Sequence, residues 1–357
     1  MKLPFVSIII PCLNEEKYIG KCLSSIIAND YPKDKLEVLV VDGMSEDATR
    51  EIVRETFERL NVGTCTWGRE DCEDEKMGRW EGRGHVNIKL LDNPSHIVPA
   101  ALNVGLRHAK GDIIMRMDAH TTYAKDYVSK CVKYMKADNA DSVGGILGTT
   151  PGSNTVLSKS ITMVLSSPFG VGNGYFRTGS IEPRYVDTVP FGCYKKEVFE
   201  KIGVFNENLI RNQDIEFNLR LKKAGGRILL FPDIVSYYHA RPTLSALAKN
   251  NFSNGLWVIY STRFARMPFS IRHLIPFFFV ISQIMTFILS LFYLPFLYLF
   301  ASIIGLYLIT NIFFSLKLSL KNRIKYFPYL ILSFFTLHYS YGAGSLWGVF
   351  RLIQPKK

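Results

Sequence analysis

Residues 5–43 read FVSIIIPCLNEEKYIGKCLSSIIANDYPKDKLEVLVVDG. Phe5–Ile10 is a short apolar, β-branched run closed by Pro11, the pattern of a strand buried on both faces. Glu15–Ile27 follows with Tyr18, Ile19, Cys22, Leu23 and Ile26 at helical spacing. Glu37–Val41 is a second buried strand and ends at Asp42-Gly43. Ser45 is placed to cap the next helix, with Glu46 and Asp47 in its first turn, where the helix dipole favours them. That helix runs to about Leu60, and Ile88–Leu91, Ile97–Ala109 and Asp112–Met117 continue as strand, helix and strand. Strands separated by helices predict an α/β fold, a doubly wound, mainly parallel sheet with right-handed crossovers.

In such sheets ligands bind beyond the carboxyl ends of the strands. Those ends carry Asn14-Glu15, Asp42-Gly43, Asp92-Asn93 and Asp118-Ala119-His120. One aspartate there is ordinarily a solvated loop residue, whereas three together suit a site that handles a metal or ribose hydroxyls. No GxGxxG follows the first strand and no GxxxxGK[ST] occurs anywhere, which removes the main support for a dinucleotide-binding dehydrogenase or a P-loop NTPase.

The charge distribution points elsewhere than nucleic acid. The 357 residues hold 43 Lys+Arg against 31 Asp+Glu. Up to Asp233 the two balance; the 124 residues after it carry 12 basic groups and no carboxylate. A nucleic-acid binder would place a basic stripe on its binding domain; here the basic residues flank apolar runs, which reads as membrane and no nucleic acid. Leu274–Leu316 is 43 residues without Asp, Glu, Lys, Arg or His, too long for one span and suitable for two. Pro295 marks the turn, giving spans of 274–294 and 296–316. Lys317, Lys321, Arg323 and Lys325 then return the chain to the cytoplasm, beside Arg263, Arg266 and Arg272.

A third apolar segment, 326–350, contains His338, Ser340, Gly342, Gly344 and Ser345, and both a span and a re-entrant segment fit it. Leu244–Arg266 fits either an amphipathic helix at the inner leaflet or a core helix. The N-terminus lacks the long apolar run of a signal peptide. The expected organisation is a cytoplasmic catalytic domain over 1–240, an interfacial linker over 241–273 and a membrane domain over 274–350. On this reading the sheet owes nothing to the spans, and a chain cut before Ile271 still folds. Six scattered cysteines fit a reducing cytosol, with Cys65 and Cys72 in a polar, Gly-interrupted insertion, Asn61–Gly84, as the one pair with a metal or disulfide alternative.

Taken in order, FVSIIIPCLNEEKYIGKCLSSI, VLVVDGMSEDATREIV, DNPSHIVPAALNVGLRHAKGDIIMRMDAH and NENLIRNQDIEFNLRLKKAGGRI resemble a family 2 glycosyltransferase. The likeness extends to the succinoglycan-type (ExoA-like) exopolysaccharide glucosyltransferases. It rests there on VDGMS, DNP…VPAALN, RMDAHTTY, SSPFGVGN, RNQD and HYSYGAGSLWG. The resemblance implies a GT-A fold and transfer of a sugar, glucose from UDP-glucose, onto a lipid-linked, undecaprenyl-type acceptor at the inner face of the membrane.

It also implies roles. Pro11, Asn14 and Glu15 form the loop beside the nucleotide; Asp42 contacts base or ribose, or simply caps its strand; Asp92 and Asn93 stand at the same edge. Asp118 takes the place of the family's metal motif, usually Asp-x-Asp, and His120 replaces the second aspartate. It stands as a ligand, a phosphate contact or a helix cap. The ion would be Mg²⁺ or Mn²⁺. His239 stands as a further metal ligand or a phosphate contact, and Arg116 and Arg241 either neutralise phosphate or are structural. Asp214 matches the catalytic base, Gln213 replaces the usual Glu before it, and Glu216 lies close behind. Ser166–Gly179, with four glycines, reads as a mobile lid. The processive motif Gln-x-x-Arg-Trp is replaced by Asn254-Gly255-Leu256-Trp257, which implies single-sugar addition. Two alternatives stand beside this one: a polyprenyl-phosphate sugar synthase, and a membrane protein that binds sugar nucleotide without catalysis.

Overall fold

The computed structural model describes residues 3–61, 86–265 and 269–354. Cys65, Cys72 and the rest of the polar insertion after Asn61 lie outside the described residues. The elements are β1 (Val6–Cys12), α1 (Ile19–Ile27), β2 (Leu36–Asp42), α2 (Thr49–Asn61), β3 (Asn87–Asp92), α3 (Val98–His108), β4 (Ile113–Arg116), β5 (Thr121–Tyr123), α4 (Tyr127–Ala137) and β6 (Ser142–Pro151). They continue as α5 (Val156–Leu165), α6 (Pro168–Val171), α7 (Tyr175–Thr178), β7 (Arg184–Tyr185), β8 (Cys193–Lys195), α8 (Lys196–Ile202), α9 (Gln213–Lys223), β9 (Ile228–Ala240), α10 (Leu244–Tyr260), α11 (Ile275–Ser290), α12 (Pro295–Lys321) and α13 (Phe327–Ile353). By packing the chain divides into two units, Met1–Gly144 with Phe191–Phe205, and Gly145–Pro190 with Asn206–Lys357.

In the first unit the strands run β3-β2-β1-β4-β8. The first four are parallel, as the β-branched runs and intervening helices require, and β8 joins β4 antiparallel. Every residue of β1 and β2 is buried. Each such Ile or Val contributes about 1.5–3 kcal/mol, and Ile8, Ile10, Val38, Val40 and Ile114 together make this layer a stable platform. Register sets Cys12 opposite Asp42 and Asp42 opposite Asp92, so the polar strand ends finish level. Asn103, buried in α3, donates to the Phe205 carbonyl (2.9 Å) and accepts from its N–H (3.0 Å). The last residue of the VPAALN motif is therefore a clamp on the backbone after α8.

In the second unit β6 and β9 are neighbours and β7 pairs antiparallel with β9. Its helical core joins Ile161, Val164, Ala240 and Leu247 to Tyr326, Leu330, Phe334 and Leu337. Half of that cluster lies after Ile271, so the core of the second unit, unlike the sheet of the first, draws on the C-terminal helices. α10 is packed against α13 almost backbone to backbone. A Cβ on Gly344 would lie 2.0 Å from the Phe252 carbonyl oxygen, and one on Gly255 2.0 Å from that of Tyr341. The glycines of the third apolar segment are thus packing residues, and α13 is one uninterrupted helix.

Arg272–Ser290 and Pro295–Lys321 are long and apolar enough to cross a membrane. Their outer faces expose Phe278, Phe287, Leu306, Ile309 and Phe313, far more apolar surface than a water-facing helix pair leaves open. Their polar groups turn inward: Tyr339 donates to Gln283 (2.8 Å) and Asn311 to the Ile331 carbonyl (3.2 Å). The glycine-rich segment before β7 is partly ordered as α6 and α7. Phe169 packs 4.9 Å from both Phe314 and Phe334, and its carbonyl accepts from His338 Nε2 at 2.8 Å. A lid free along its whole length is therefore not what the sequence builds; one end is anchored.

Gly344→Ala should lower the thermal unfolding midpoint of the detergent-solubilised chain, at a cost of about 1–3 kcal/mol, because backbone must move. Gly305→Ala, where a Cβ meets nothing within 4 Å, should be neutral or stabilising by up to ~1 kcal/mol. Equal midpoints for the two variants would contradict the close α10–α13 contact.

Candidate active site

The strand ends of the first unit are joined by one hydrogen-bond lattice. Asp42 is fully buried. Its carboxylate accepts from the Ser45 N–H (2.9 Å), the Ser45 hydroxyl (2.5 Å) and Arg50 (2.8 Å). Arg50 also pairs with Asp92 at 2.8 Å, so one guanidinium spans the ends of β2 and β3. Burial alone would raise the Asp42 carboxyl; the bonds from Ser45 and Arg50 outweigh it and hold it below its ordinary value. Ser45 also accepts from the Asn14 N–H (2.8 Å), and Thr49 from the Glu15 N–H (2.7 Å). Ser45 is thus not the cap expected from the sequence. α2 starts later, where Asp47 accepts from the Thr49 N–H at 3.0 Å. Likewise the helix expected from Glu15 begins at Ile19, because residues 14–18 form the turn that docks on the second strand end.

Three non-glycine residues at these ends have left-handed backbone: Asn14 (φ 54°), Met44 (60°) and His96 (56°). Each such conformation costs about 1–3 kcal/mol and persists where the surroundings enforce it, often at binding sites. Here the enforcing contacts are visible, including His96 Nδ1 to the Gly43 carbonyl at 2.7 Å and Asn93 N–H to the Asp42 carbonyl at 2.8 Å.

A cleft of about 240 Å³ opens at this edge. Its polar lining is Glu15, Asn93, His96, Arg116, Asp118 and His120; Pro11, Leu13, Ile97 and Val98 form an apolar wall. Arg116 Nη2 lies 3.0 Å from Asp118 Oδ1, and His120 Nδ1 lies 3.1 Å from Glu15 Oε1. Cys12 and Cys22, beneath the cleft, are pushed far up, first by burial and then by the nearby Asp42 and Asp118 charges, and stay neutral thiols. Among the described residues no three His, Cys, Asp or Glu side chains form a group that could hold a metal.

Of the residues singled out from the sequence, Pro11, Glu15, Asn93, Arg116, Asp118 and His120 meet in this cleft. Asn14, in the turn after β1, and Asp92, the last residue of β3, are exposed at the same strand ends, and Asp42 is buried and locked in the lattice. Gln213, Asp214, Glu216, His239 and Arg241 belong to the second unit. There Asp214 sits in the first turn of α9, with Gln213 buried beside it. Glu216 is held at both oxygens by Arg220 (2.9 Å each), and His239 Nδ1 lies 3.0 Å from the Thr150 hydroxyl. Sequence reasoning misses Arg50 and His96, and reads Ser45 only as a helix cap. A buried aspartate demands a counter-charge, and that rule was the available signal for Arg50, the second residue of α2.

The sequence pattern of Glycosyl transferase family 2 matches residues 7–70 and 79–203, more than half of the chain. The chain belongs to glycosyltransferase family 2. It is 31% identical to the succinoglycan biosynthesis protein ExoA of Rhizobium meliloti, over 70% of this chain and 67% of that one. It is 28% identical, over 95% of both chains, to the dolichyl N-acetyl-α-D-glucosaminyl phosphate 3-β-D-2,3-diacetamido-2,3-dideoxy-β-D-glucuronosyltransferase of Methanococcus voltae. Among solved structures, the mannosyltransferase PcManGT of Pyrobaculum calidifontis, in complex with GDP-Man and Mn²⁺, superposes with a TM-score of 0.61 at 20% identity, covering 98% of this chain and 88% of that one. That likeness is one of fold, and the architecture is GT-A.

The lowered Asp42 carboxyl makes a signed prediction for this transferase. Its stabilisation is complete above the ordinary carboxylate value of 3.8 and is lost as pH falls through the lower folded value. Unfolding midpoints measured from neutral pH into the acid range should show Asp42→Asn less stable than the parent at neutral pH, with the gap closing in acid. A gap that widens in acid would reverse the assignment.

Proposed function

We propose that this family 2 transferase moves one sugar from a nucleotide-sugar donor, UDP-glucose by resemblance, onto a lipid-linked acceptor at the cytoplasmic face of a membrane. The observation that carries this is the presence in one chain of a polar cleft at GT-A strand ends and of two helices long and apolar enough to span a bilayer. A lipid acceptor is the physical reason for a nucleotide-binding sheet to be tied to such helices. The Methanococcus voltae relative, named for a dolichyl-phosphate-linked sugar acceptor, supports the acceptor class. The basic residues 263–272 and 317–325 flank both ends of the α11–α12 hairpin and support a cytoplasmic side.

The donor's base would lie against the apolar wall of Pro11, Leu13, Ile97 and Val98, with its diphosphate toward Arg116, Asp118 and His120. The donor set fits a divalent cation: a metal such as Mg²⁺ needs one or two carboxylates and completes its shell with phosphate oxygens. Asp118 would supply the carboxylate and His120 an imidazole oriented by Glu15. When bound, such a cation neutralises charge gathering on the departing diphosphate. Arg116 adds a fixed positive charge at the same place. Asp214, in the first turn of α9, takes the proton from the acceptor hydroxyl. That oxygen bonds to the anomeric carbon from the face opposite the nucleotide. The bond to the diphosphate breaks, its electron pair leaves with the nucleotide, and the configuration inverts.

Nucleotide release with membranes and a lipid-linked sugar acceptor, screened over donors and over Mg²⁺ and Mn²⁺, tests the reading. Asp118→Ala should abolish transfer, while His120→Ala should weaken it and shift the Mg²⁺/Mn²⁺ preference. Asp214→Asn should cut turnover ~10²-fold or more with donor binding little changed, as loss of a general base does. An acceptor that is itself a phosphate is already ionised and needs no base. Near-normal turnover of Asp214→Asn would therefore replace this reading by the polyprenyl-phosphate sugar synthase.

A further inference from the structure

Building on the lipid-linked-acceptor reading, we propose that Arg177, Arg211 and Arg241 form the subsite for that acceptor's phosphate. All three belong to the second unit. Arg177, on α7, has its guanidinium 5.3 Å from the Tyr238 ring and 5.7 Å from that of Phe176, and its buried Nη1 has no hydrogen-bond partner. Arg211 Nη1 donates to two neutral oxygens on α10, Oδ1 of Asn250 (3.1 Å) and of Asn254 (3.0 Å). Arg241 follows the end of β9 and is exposed. Burial, and then the nearby Arg241 charge, hold Arg211 below its ordinary value, and burial does the same to Arg177. Arg177 stands over the Tyr238 ring near the end of β9, Arg241 follows three residues later, and the Arg241 charge reaches Arg211, so the three cations share one neighbourhood.

Among the described residues no carboxylate pairs with any of the three. Cations gathered in a half-buried place without a counter-charge are unfavourable until an anion joins them. Guanidinium groups match phosphate oxygens in geometry as well as charge. Two facts favour the acceptor's phosphate over the donor's. Arg211 precedes the proposed base, Asp214, by three residues. The segments bearing Arg177 and Arg211 are both fastened to the apolar helices, the first through Phe169 on Phe314 and Phe334, the second through α10 on α13. A charged group held there sits at the head of a molecule whose tail is hydrocarbon.

The full chain, purified in uncharged detergent, is titrated with farnesyl diphosphate, farnesol, UDP and phosphatidylglycerol. Farnesyl diphosphate should bind and farnesol should not. Arg177→Gln and Arg211→Gln should weaken farnesyl diphosphate ~10-fold or more, as loss of a charged hydrogen bond does. Lys at either position should restore part of it. Arg241→Gln, at an exposed position that leaves folding intact, should weaken it several-fold. Unchanged affinity in Arg211→Gln and Arg241→Gln overturns the proposal. Equal losses for UDP would assign the arginines to the donor, and competition by equimolar phosphatidylglycerol would assign them to bulk head groups; either overturns it too. The parent reading is judged separately, by wild-type transfer to a polyprenyl-diphosphate sugar. Wild-type transfer with an unchanged acceptor KM in the variants removes the subsite alone. No wild-type transfer to any lipid-linked acceptor removes the parent reading and the subsite with it.

Discussion

A carboxylate withdrawn from water has to be surrounded by hydrogen-bond donors, and in this protein that requirement organises the strand-end edge of the first unit. Asp42 is fully buried, and its needs are met by Ser45 and Arg50. To supply Ser45 the chain must turn through left-handed Met44; to supply Arg50 the next helix must start where it does. Both partners are then used twice, Ser45 on the Asn14 N–H and Arg50 on Asp92. Three strand ends become one rigid rim. A nucleotide site needs such a rim, because ordering loose loops on binding would consume the affinity that their contacts provide.

The second unit solves a different problem, with apolar surface on its outside as well as its inside. The outer faces of α11 and α12 are suited to hydrocarbon, so hydrophobicity cannot by itself hold them to their neighbours there. Close backbone approach and interhelical hydrogen bonds do it instead. Gly344 and Gly255 bring α10 and α13 together, and Gln283 and Asn311 bond to partners on α13. The mixed composition of α13, with its glycines, serines and His338, follows from its central place in this packing. His338 carries the anchor of the loop at Phe169, so the segment that the glycines loosen is fastened at one end.

Family membership and the GT-A architecture agree with the strand-end acids that first marked the site. On the proposed reading, Asp118, His120 and Arg116 of the first unit suit a diphosphate; in the second unit, Asp214 suits a general base and the arginines an acceptor phosphate.

The sequence by itself determined the alternation of strand and helix, the four polar strand ends and the two long apolar helices. Each is a local property: apolar period, a residue type at the end of a run, or the length of a run. It did not disclose β8, whose three residues are too short to show a period and whose antiparallel place depends on β4. Nor did it disclose the place of Ser45 in the Asp42 lattice, the clamp of Asn103 on Phe205, the pairing of Arg50 with two strand ends, or the dependence of the second core on α13. These are agreements between residues up to about a hundred or more positions apart in the chain. Whether a polar side chain caps, pairs or stays unpaired is decided by what the folded chain brings within about 3 Å of it, and only the tertiary structure sets that distance.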